Sequence, residues 1–175
     1  LKIAQKIHNL GLPSLAFRKE LRRAYPGGEL AGHVLGGVNI DNRGVAGIEK
    51  WIDENVGVEG VHTAEFSDHA PVRLSLDIGV QHTLEDELGA AMRRYTARAA
   101  AGLVMDIRTG EIIASASIPR IDPLFPQTAS DPSRIDRVLT GTYELGSVFK
   151  TLTLAMALDE GLATSATVLD VRKPL

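Results

Sequence analysis

Two strand-like runs joined by a glycine turn constrain the fold of this chain more than any other feature. Residues 99–107 and 111–117 are rich in apolar and small side chains, and Arg108-Thr109-Gly110 separates them. Glycine readily adopts the positive φ that a tight hairpin turn requires, and Gly110 is placed where the chain must reverse. The pattern therefore predicts an antiparallel pair of strands.

An amphipathic helix is predicted before this hairpin. Asp77 is placed to cap its first turn, and apolar side chains then recur every three or four residues. They are Val80, Leu84, Leu88, Met92 and Tyr95. We expect them to form the buried face of the helix, and we expect Val72–Leu76 to form a short strand before it. A helix combined with an antiparallel hairpin indicates the α+β class.

The first 70 residues hold 10 of the 17 glycines, which predicts an irregular, turn-rich module. A short helix is predicted to end at Gly11, and a second one is predicted over residues 45–56. Residues 57–71 are polar and turn-forming. We therefore expect a module over residues 1–71 and a second domain over residues 72–175.

The second domain is predicted to continue with a long loop and a final helix. Residues 118–134 contain four of the eight prolines and few periodic apolar positions, so they are expected to cross the surface as a loop. The last helix is expected from about Ser147 to Glu160, with Gly161 at its C-terminal end. Long loops often border functional sites.

Composition excludes several classes of function. With 19 Lys and Arg against 22 Asp and Glu, the formal charge of −3 is too small to attract nucleic acid. The chain has no cysteine, which excludes disulfides, thiol nucleophiles and Cys-ligated zinc. No apolar run approaches the roughly 18 residues of a membrane helix, so the chain is expected to be soluble. Four potential metal ligands lie in a polar segment, which favours a solvated linker, and no metal or cofactor is predicted. They are His62, Glu65, Asp68 and His69.

The tetrapeptide Ser147-Val148-Phe149-Lys150 has the S-x-x-K spacing, which places both polar side chains on one helix face, one turn apart. Serine attacks a carbonyl only when a base removes its proton, and a neutral lysine one turn away can serve as that base. Backbone N–H groups at the start of the helix would stabilise a developing oxyanion. By itself, however, the tetrapeptide favours a serine that only caps a helix, because a serine at a helix start is most often an N-cap.

Further segments resemble class B penicillin-binding proteins. Residues 143–150 resemble the active-site segment of that family, in which an aromatic, an acidic residue, commonly a proline, and a glycine lead into the nucleophile; this chain has Leu145 at the proline position. The other similar segments follow in the family's order from the N-terminus. They are Arg23-Ala24-Tyr25-Pro26, Ala31-Gly32-His33-Val34-Leu35-Gly36, Ala46-Gly47-Ile48-Glu49, Leu74–Gln81, Ala101–Asp106 and Thr109-Gly110-Glu111.

The resemblance implies a division-type peptidoglycan D,D-transpeptidase, with elongation-type members as the nearer rival. It implies a pedestal module followed by an incomplete transpeptidase domain, in which Ser147 forms an acyl-enzyme and Lys150 accepts its proton. The implied substrate is the D-Ala-D-Ala stem peptide of peptidoglycan, and β-lactams acylate the same serine. The parent protein is expected to be anchored in the inner membrane, with its catalytic part in the periplasm.

One departure from the family affects the expected activity. The family uses a downstream S-x-N and a K-[ST]-G strand, and neither occurs after Ser147. We therefore expect this chain to be a fragment that is inactive by itself, and we expect the unpaired edges of its incomplete sheet to cause self-association. Two alternatives stay open, namely a non-catalytic interaction module of the division machinery and, less favoured, a β-lactam sensor. For Arg23 and Glu49 an ion pair is possible, but separate structural roles are favoured.

Overall fold

The computed structural model describes residues 2–13, 15–17, 22–55, 71–168 and 172. The chain divides into two compact units, residues 1–141 and residues 142–175. Residues 56–70, which include most of the predicted boundary, lie outside the described part, so a division near residue 71 stays a prediction. The first unit contains four helices and two small sheets among its described residues. They are α1 (Lys2–His8), α2 (Gly32–Leu35), β1 (Gly37–Val38), β2 (Gly44–Ala46), α3 (Gly47–Asn55), α4 (Ile78–Tyr95), β3 (Ala100–Met105) and β4 (Ile112–Ile118).

The predicted hairpin is confirmed as β3 and β4. The two strands pair antiparallel, from Ala100 opposite Ile118 to Met105 opposite Ile112, with an irregularity after Val104. Gly110 has a φ of 76°, the left-handed value that the turn requires. Together with the helices, this antiparallel sheet confirms the α+β class.

The helix α4 is also confirmed, but its buried face is not the predicted one. The Asp77 carboxylate caps it by accepting hydrogen bonds from the N–H groups of Gly79 and Val80. The buried side chains of α4 are polar: Gln81 is 1% exposed and Glu85 is 5% exposed. Leu84, Leu88 and Met92 are half-buried, Val80 is exposed, and Tyr95 is 70% exposed. The predicted stripe was therefore wrong at its two ends, Val80 and Tyr95, and is half-buried between them.

The predicted strand Val72–Leu76 was wrong. Residues 71–77 form no strand, although Ser75 and Asp77 lie beside β4. Their bonds to β4 run from the Ser75 hydroxyl to the Ile112 carbonyl and from the Asp77 N–H to the Ile113 carbonyl. Two residues after Ile113, both backbone groups of Ser115 bind the Gln81 side chain, so a side chain of α4 takes the place of the expected strand.

The N-terminal predictions were confirmed in outline. The helix predicted over residues 45–56 begins at Gly47, because residues 44–46 form β2, which pairs with β1. Val56 lies outside the described residues.

The predicted loop 118–134 contains two 3₁₀ helices, Pro126–Ser130 and Pro132–Arg134, and it does not lie wholly on the surface. Ile121 and Pro123 are buried, since this segment packs against residues 32–37.

In the second unit, a 3₁₀ helix at Gly146–Phe149 leads directly into α5 (Lys150–Asp159). Gly161 follows α5 with a φ of 67°, which confirms the predicted helix end. Within the described ranges, no helix has both the length and the apolar character needed to cross a membrane.

Candidate active site

The segment around Ser147 forms a tight turn that continues as a helix. Gly146, directly before the serine, has a φ of 52°, a conformation that other residues adopt only with strain. The N–H of Lys150 then donates to the carbonyls of Ser147 and Val148, which closes one helical turn between the two candidate residues. The geometry therefore places Ser147 and Lys150 one turn apart, as the spacing predicted.

Both candidate side chains are accessible to solvent. Ser147 and Lys150 are exposed, and neither side chain has a hydrogen-bond partner among the residues that the structure describes. Apolar side chains on α5, such as Leu152, Leu154 and Met156, are exposed as well, and no described residue of α5 is buried. The second unit thus exposes both candidate side chains together with the apolar side chains of α5.

An ion pair joins two of the family-like segments of the first unit. Arg23 donates from Nε to Glu49 Oε1 at 2.8 Å and from its terminal nitrogen to Glu49 Oε2 at 2.6 Å. The Tyr25 hydroxyl donates to Glu49 Oε1 at 3.2 Å. Our preference for separate roles of Arg23 and Glu49 was therefore wrong: residues 26 positions apart in sequence meet because β1 and β2 fold α3 back towards residues 22–25.

The same contacts change the acid–base behaviour of the pair. Burial of the Tyr25 ring, together with the negative charge of Glu49, raises the pKa of Tyr25 to about 12. The hydrogen bonds to Glu49 raise the pKa of Arg23 above its usual value. Both shifts keep Tyr25 neutral and Arg23 charged, which are the protonation states that the contacts require.

A second polar cluster, centred on Glu85, was missed by the sequence analysis. Glu85 Oε1 accepts hydrogen bonds from the Ala31 N–H and from Gln81 Nε2, both at 2.8 Å, and Glu85 Oε2 accepts one from Arg120 at 2.9 Å. Gln81 also binds both backbone groups of Ser115. The signal in the sequence was the i, i+4 spacing of Gln81 and Glu85 beside the apolar stripe, which resembles an ordinary solvated face.

The Glu85 cluster joins the N-terminal module to the hairpin. Gly32 approaches the Ile121 carbonyl so closely that a Cβ on Gly32 would lie 2.3 Å from this oxygen. The His33 ring nitrogen Nε2 lies 2.8 Å from the Arg134 carbonyl, and Arg120 also pairs with Glu29 at 3.4 Å. The segment containing Gly32 and His33 is thus held against β4 and the residues after it.

An open groove of about 1020 Å³ lies between the N-terminal module and residues 123–130. Its lining combines Arg22 and Gln127 with the apolar side chains of Ile40 and Leu124. Across the described ranges, no group of three or more His, Cys, Asp or Glu side chains is arranged to hold a metal ion. The four potential ligands between residues 62 and 69 lie outside the described residues.

Comparison with known proteins finds similarity to penicillin-binding proteins. Residues 100–173, which include Ser147 and Lys150, match the penicillin-binding protein transpeptidase domain. The probable peptidoglycan D,D-transpeptidase FtsI of Caulobacter vibrioides is 40% identical over 168 residues, which are 96% of this chain and 28% of that protein. This chain therefore spans under a third of that relative.

Solved structures agree with this match. The apo structure of penicillin-binding protein 3 from Mycobacterium tuberculosis superposes with a TM-score of 0.68 at 27% identity, over 89% of this chain and 36% of that one. The aztreonam complex of the same protein gives a TM-score of 0.67 at 26% identity, over 85% of this chain and 34% of that one. Motifs, domain match and fold thus agree that this chain is similar to a segment of the class B penicillin-binding proteins.

Proposed function

We propose that the protein containing this chain is a peptidoglycan D,D-transpeptidase whose acyl-enzyme forms on Ser147. The observation that carries the proposal is the turn after Gly146, which places the serine and Lys150 one turn apart at the start of a helix. This turn lies inside the segment that matches the transpeptidase domain. Its relatives are named for this reaction.

The chemistry follows from the two side chains. Ser147 Oγ attacks the carbonyl of the penultimate D-Ala in a stem peptide, and the neutral amine of Lys150 takes the hydroxyl proton. The C–N bond to the terminal D-Ala breaks, and that residue leaves with the proton on its nitrogen. An amine of a neighbouring strand then attacks the ester, which forms the cross-link and restores the Ser147 hydroxyl. A β-lactam acylates the same oxygen when its ring C–N bond opens.

The cellular setting belongs to the same proposal. A class B protein of the FtsI type would act in division, anchored in the inner membrane with its catalytic part in the periplasm. The FtsI name of the Caulobacter relative supports the assignment to the FtsI type. The aztreonam complex of the Mycobacterium protein supports β-lactam binding. Division proteins and the stem peptide are the partners that this setting requires.

Labelling with a fluorescent penicillin tests the role of Ser147. In the full-length protein, we expect Ser147→Ala to abolish covalent labelling, whereas Ser165→Ala, an exposed serine of the same unit, should keep it. Lys150→Gln should slow acylation by about 10²-fold or more and remove the pH dependence that a base imposes. Undiminished labelling of Ser147→Ala would refute the proposal. The 175-residue chain, which has no S-x-N or K-[ST]-G after Ser147, should stay unlabelled by itself.

An interaction module of the division machinery is the second candidate, and the groove beside Arg22 favours it. Its mixed lining of guanidinium, amide and apolar side chains suits a protein segment. This candidate predicts that a full-length Ser147→Ala protein still supports the assembly of its partners, although it no longer binds penicillin. Labelling and assembly are separate readouts, so each candidate can fail without the other.

A further inference from the structure

The backbone changes hand directly before Ser147. Leu145 is right-handed, with φ −67° and ψ −27°, whereas Gly146 has a φ of 52°. Ser147 has no positive φ. In the fully described stretch between Gly110 and Gly161, Gly146 is the only residue with a positive φ. The left-handed conformation is therefore confined to the one residue that precedes the candidate nucleophile.

A hydrogen bond shows that this change of hand belongs to a tight turn. The N–H of Val148 donates to the Leu145 carbonyl at 3.0 Å, which closes a turn of four residues. Gly146 is the second residue of this turn and Ser147 is the third. A positive φ at the second residue alone is typical of a type II′ turn, in which glycine is favoured because it has no Cβ. Ser147 thus lies in the turn itself, and α5 begins at Lys150.

The turn prevents a helix from continuing backwards beneath Ser147. In an α-helix, each side chain points towards the N-terminus and lies over the turn that precedes it. If Gly146 were right-handed, the helix would begin a turn earlier, and Ser147 would lie over residues 143 and 144. Glu144 would then place a carboxylate near the oxygen on which negative charge develops, and this would slow the attack. In the structure, residues 141–145 form no helix, so no helical turn covers Ser147 Oγ from this side.

We propose that Gly146 is a positioning residue for acylation, because its left-handed backbone sets the direction from which Ser147 Oγ meets the attacked carbonyl. Gly146 contributes no atom to the reaction. With a penicillin, Oγ bonds to the carbonyl carbon of the β-lactam ring, the ring C–N bond opens, and the hydroxyl proton passes through Lys150 to the ring nitrogen. The inference rests on the proposed function, since it requires Ser147 to be the nucleophile. Nucleophilic serines on another fold also lie on a sharp turn before a helix.

A second glycine of the same unit provides a matched control. Gly161, which follows α5, has a φ of 67°, close to that of Gly146. At both glycines, a Cβ would meet no described atom within 4 Å outside the adjacent residues. Alanine at either position therefore introduces the same kind of backbone strain without a clash. Only the substitution at position 146 would also move Ser147.

Acylation of the full-length protein by a fluorescent penicillin tests the proposal, with the non-covalent dissociation constant and the acylation rate constant measured separately. We expect Gly146→Ala to lower the rate constant by at least about tenfold, because moving a reacting group by about 1 Å can cost 10²-fold. The dissociation constant should change by less than about threefold, since positioning acts on the covalent step. Gly161→Ala should lower the melting temperature about as much as Gly146→Ala, and it should leave both constants within about threefold of wild type.

Asparagine at position 146 separates the backbone conformation from helix stability. Asparagine adopts a positive φ more readily than alanine, whereas alanine is smaller and is the better helix former. We therefore expect Gly146→Asn to acylate more slowly than wild type and faster than Gly146→Ala. If Gly146→Ala does not fold, Gly146→Asn should still acylate at least about threefold more slowly than Gly161→Asn.

The outcomes distinguish this inference from the proposed function. An acylation rate constant of Gly146→Ala equal to that of wild type or of Gly161→Ala would overturn the positioning role. The same holds if Gly146→Ala acylates faster than Gly146→Asn, or if Gly146→Asn matches Gly161→Asn. Covalent labelling that survives Ser147→Ala would instead refute the proposed function.

Discussion

Replacing Glu85 by alanine should be among the most damaging single changes in the first unit. The carboxylate accepts three hydrogen bonds, and two of their donors, the Ala31 N–H and the Gln81 amide, belong to buried residues. A buried donor that loses its acceptor costs about 1–3 kcal/mol. The Arg120 guanidinium is 42% exposed, so its loss should add at most about 1 kcal/mol. The expected decrease in the free energy of unfolding is about 4 kcal/mol.

Urea unfolding monitored by circular dichroism measures this decrease. With a slope of about 2 kcal/mol per molar urea, Glu85→Ala should lower the midpoint by about 2 M. Glu87→Ala is the matched control, since Glu87 is an exposed glutamate on the same helix, and its effect should stay within about 0.5 kcal/mol. Glu85→Gln keeps an acceptor for the two buried donors and should cost only about 1 kcal/mol.

These variants keep the prediction testable even if Glu85→Ala does not fold. Failure of this variant, while Glu85→Gln and Glu87→Ala fold normally, is the extreme form of the expected result. The reasoning would be refuted if Glu85→Ala and Glu87→Ala unfolded within about 1 kcal/mol of each other. Such a result would mean that water replaces the carboxylate at Ala31 and Gln81 without penalty.

Two further predictions concern the N-terminal module. The pKa of Tyr25 is about 12 in the fold against 10.0 for a free tyrosine, so the stability that neutral Tyr25 contributes is complete below about pH 10 and is lost between pH 10 and 12. Tyr25→Phe should remove this loss from the pH dependence of the free energy of unfolding. Absorbance titration of the tyrosine checks the pKa. Gly32→Ala would place its Cβ 2.3 Å from the Ile121 carbonyl oxygen and should destabilise the fold by about 1–3 kcal/mol. Gly89→Ala, in a roomier position on α4, should stabilise the fold by about 0.5–1 kcal/mol. Thermal melts that rank the two variants in the opposite order would contradict the geometry.

The features that the sequence analysis predicted well depend on neighbouring residues. Gly110 determines the hairpin turn and Asp77 caps the helix that begins one residue later, so each of these signals can be recognised within a few positions. The turn at Ser147 is equally local, since it depends on Gly146 and on a spacing of three residues.

The features that it missed depend on distant residues. Gln81 and Glu85 are buried by contacts with Ser115 and Ala31, respectively. These partners lie 34 and 54 positions away in the sequence. A single sequence does not show that such groups meet, so the sequence analysis assigned no buried role to this glutamine and this glutamate. The Val72–Leu76 strand failed for the same reason, because a helix side chain occupies the edge of β4 that the strand would have needed.

The amide of Gln81 reproduces the hydrogen-bonding pattern of a peptide group, and this has an evolutionary consequence. The amide can bind Ser115 but not the residues on either side of it, because those residues direct their N–H and C=O groups towards β3. These two hydrogen bonds therefore fix the position of β4 relative to α4 along the strand direction. A residue gained or lost between α4 and Ser115 cannot be absorbed by sliding, so length variation in this stretch should accumulate at the hairpin tip around residues 107–110.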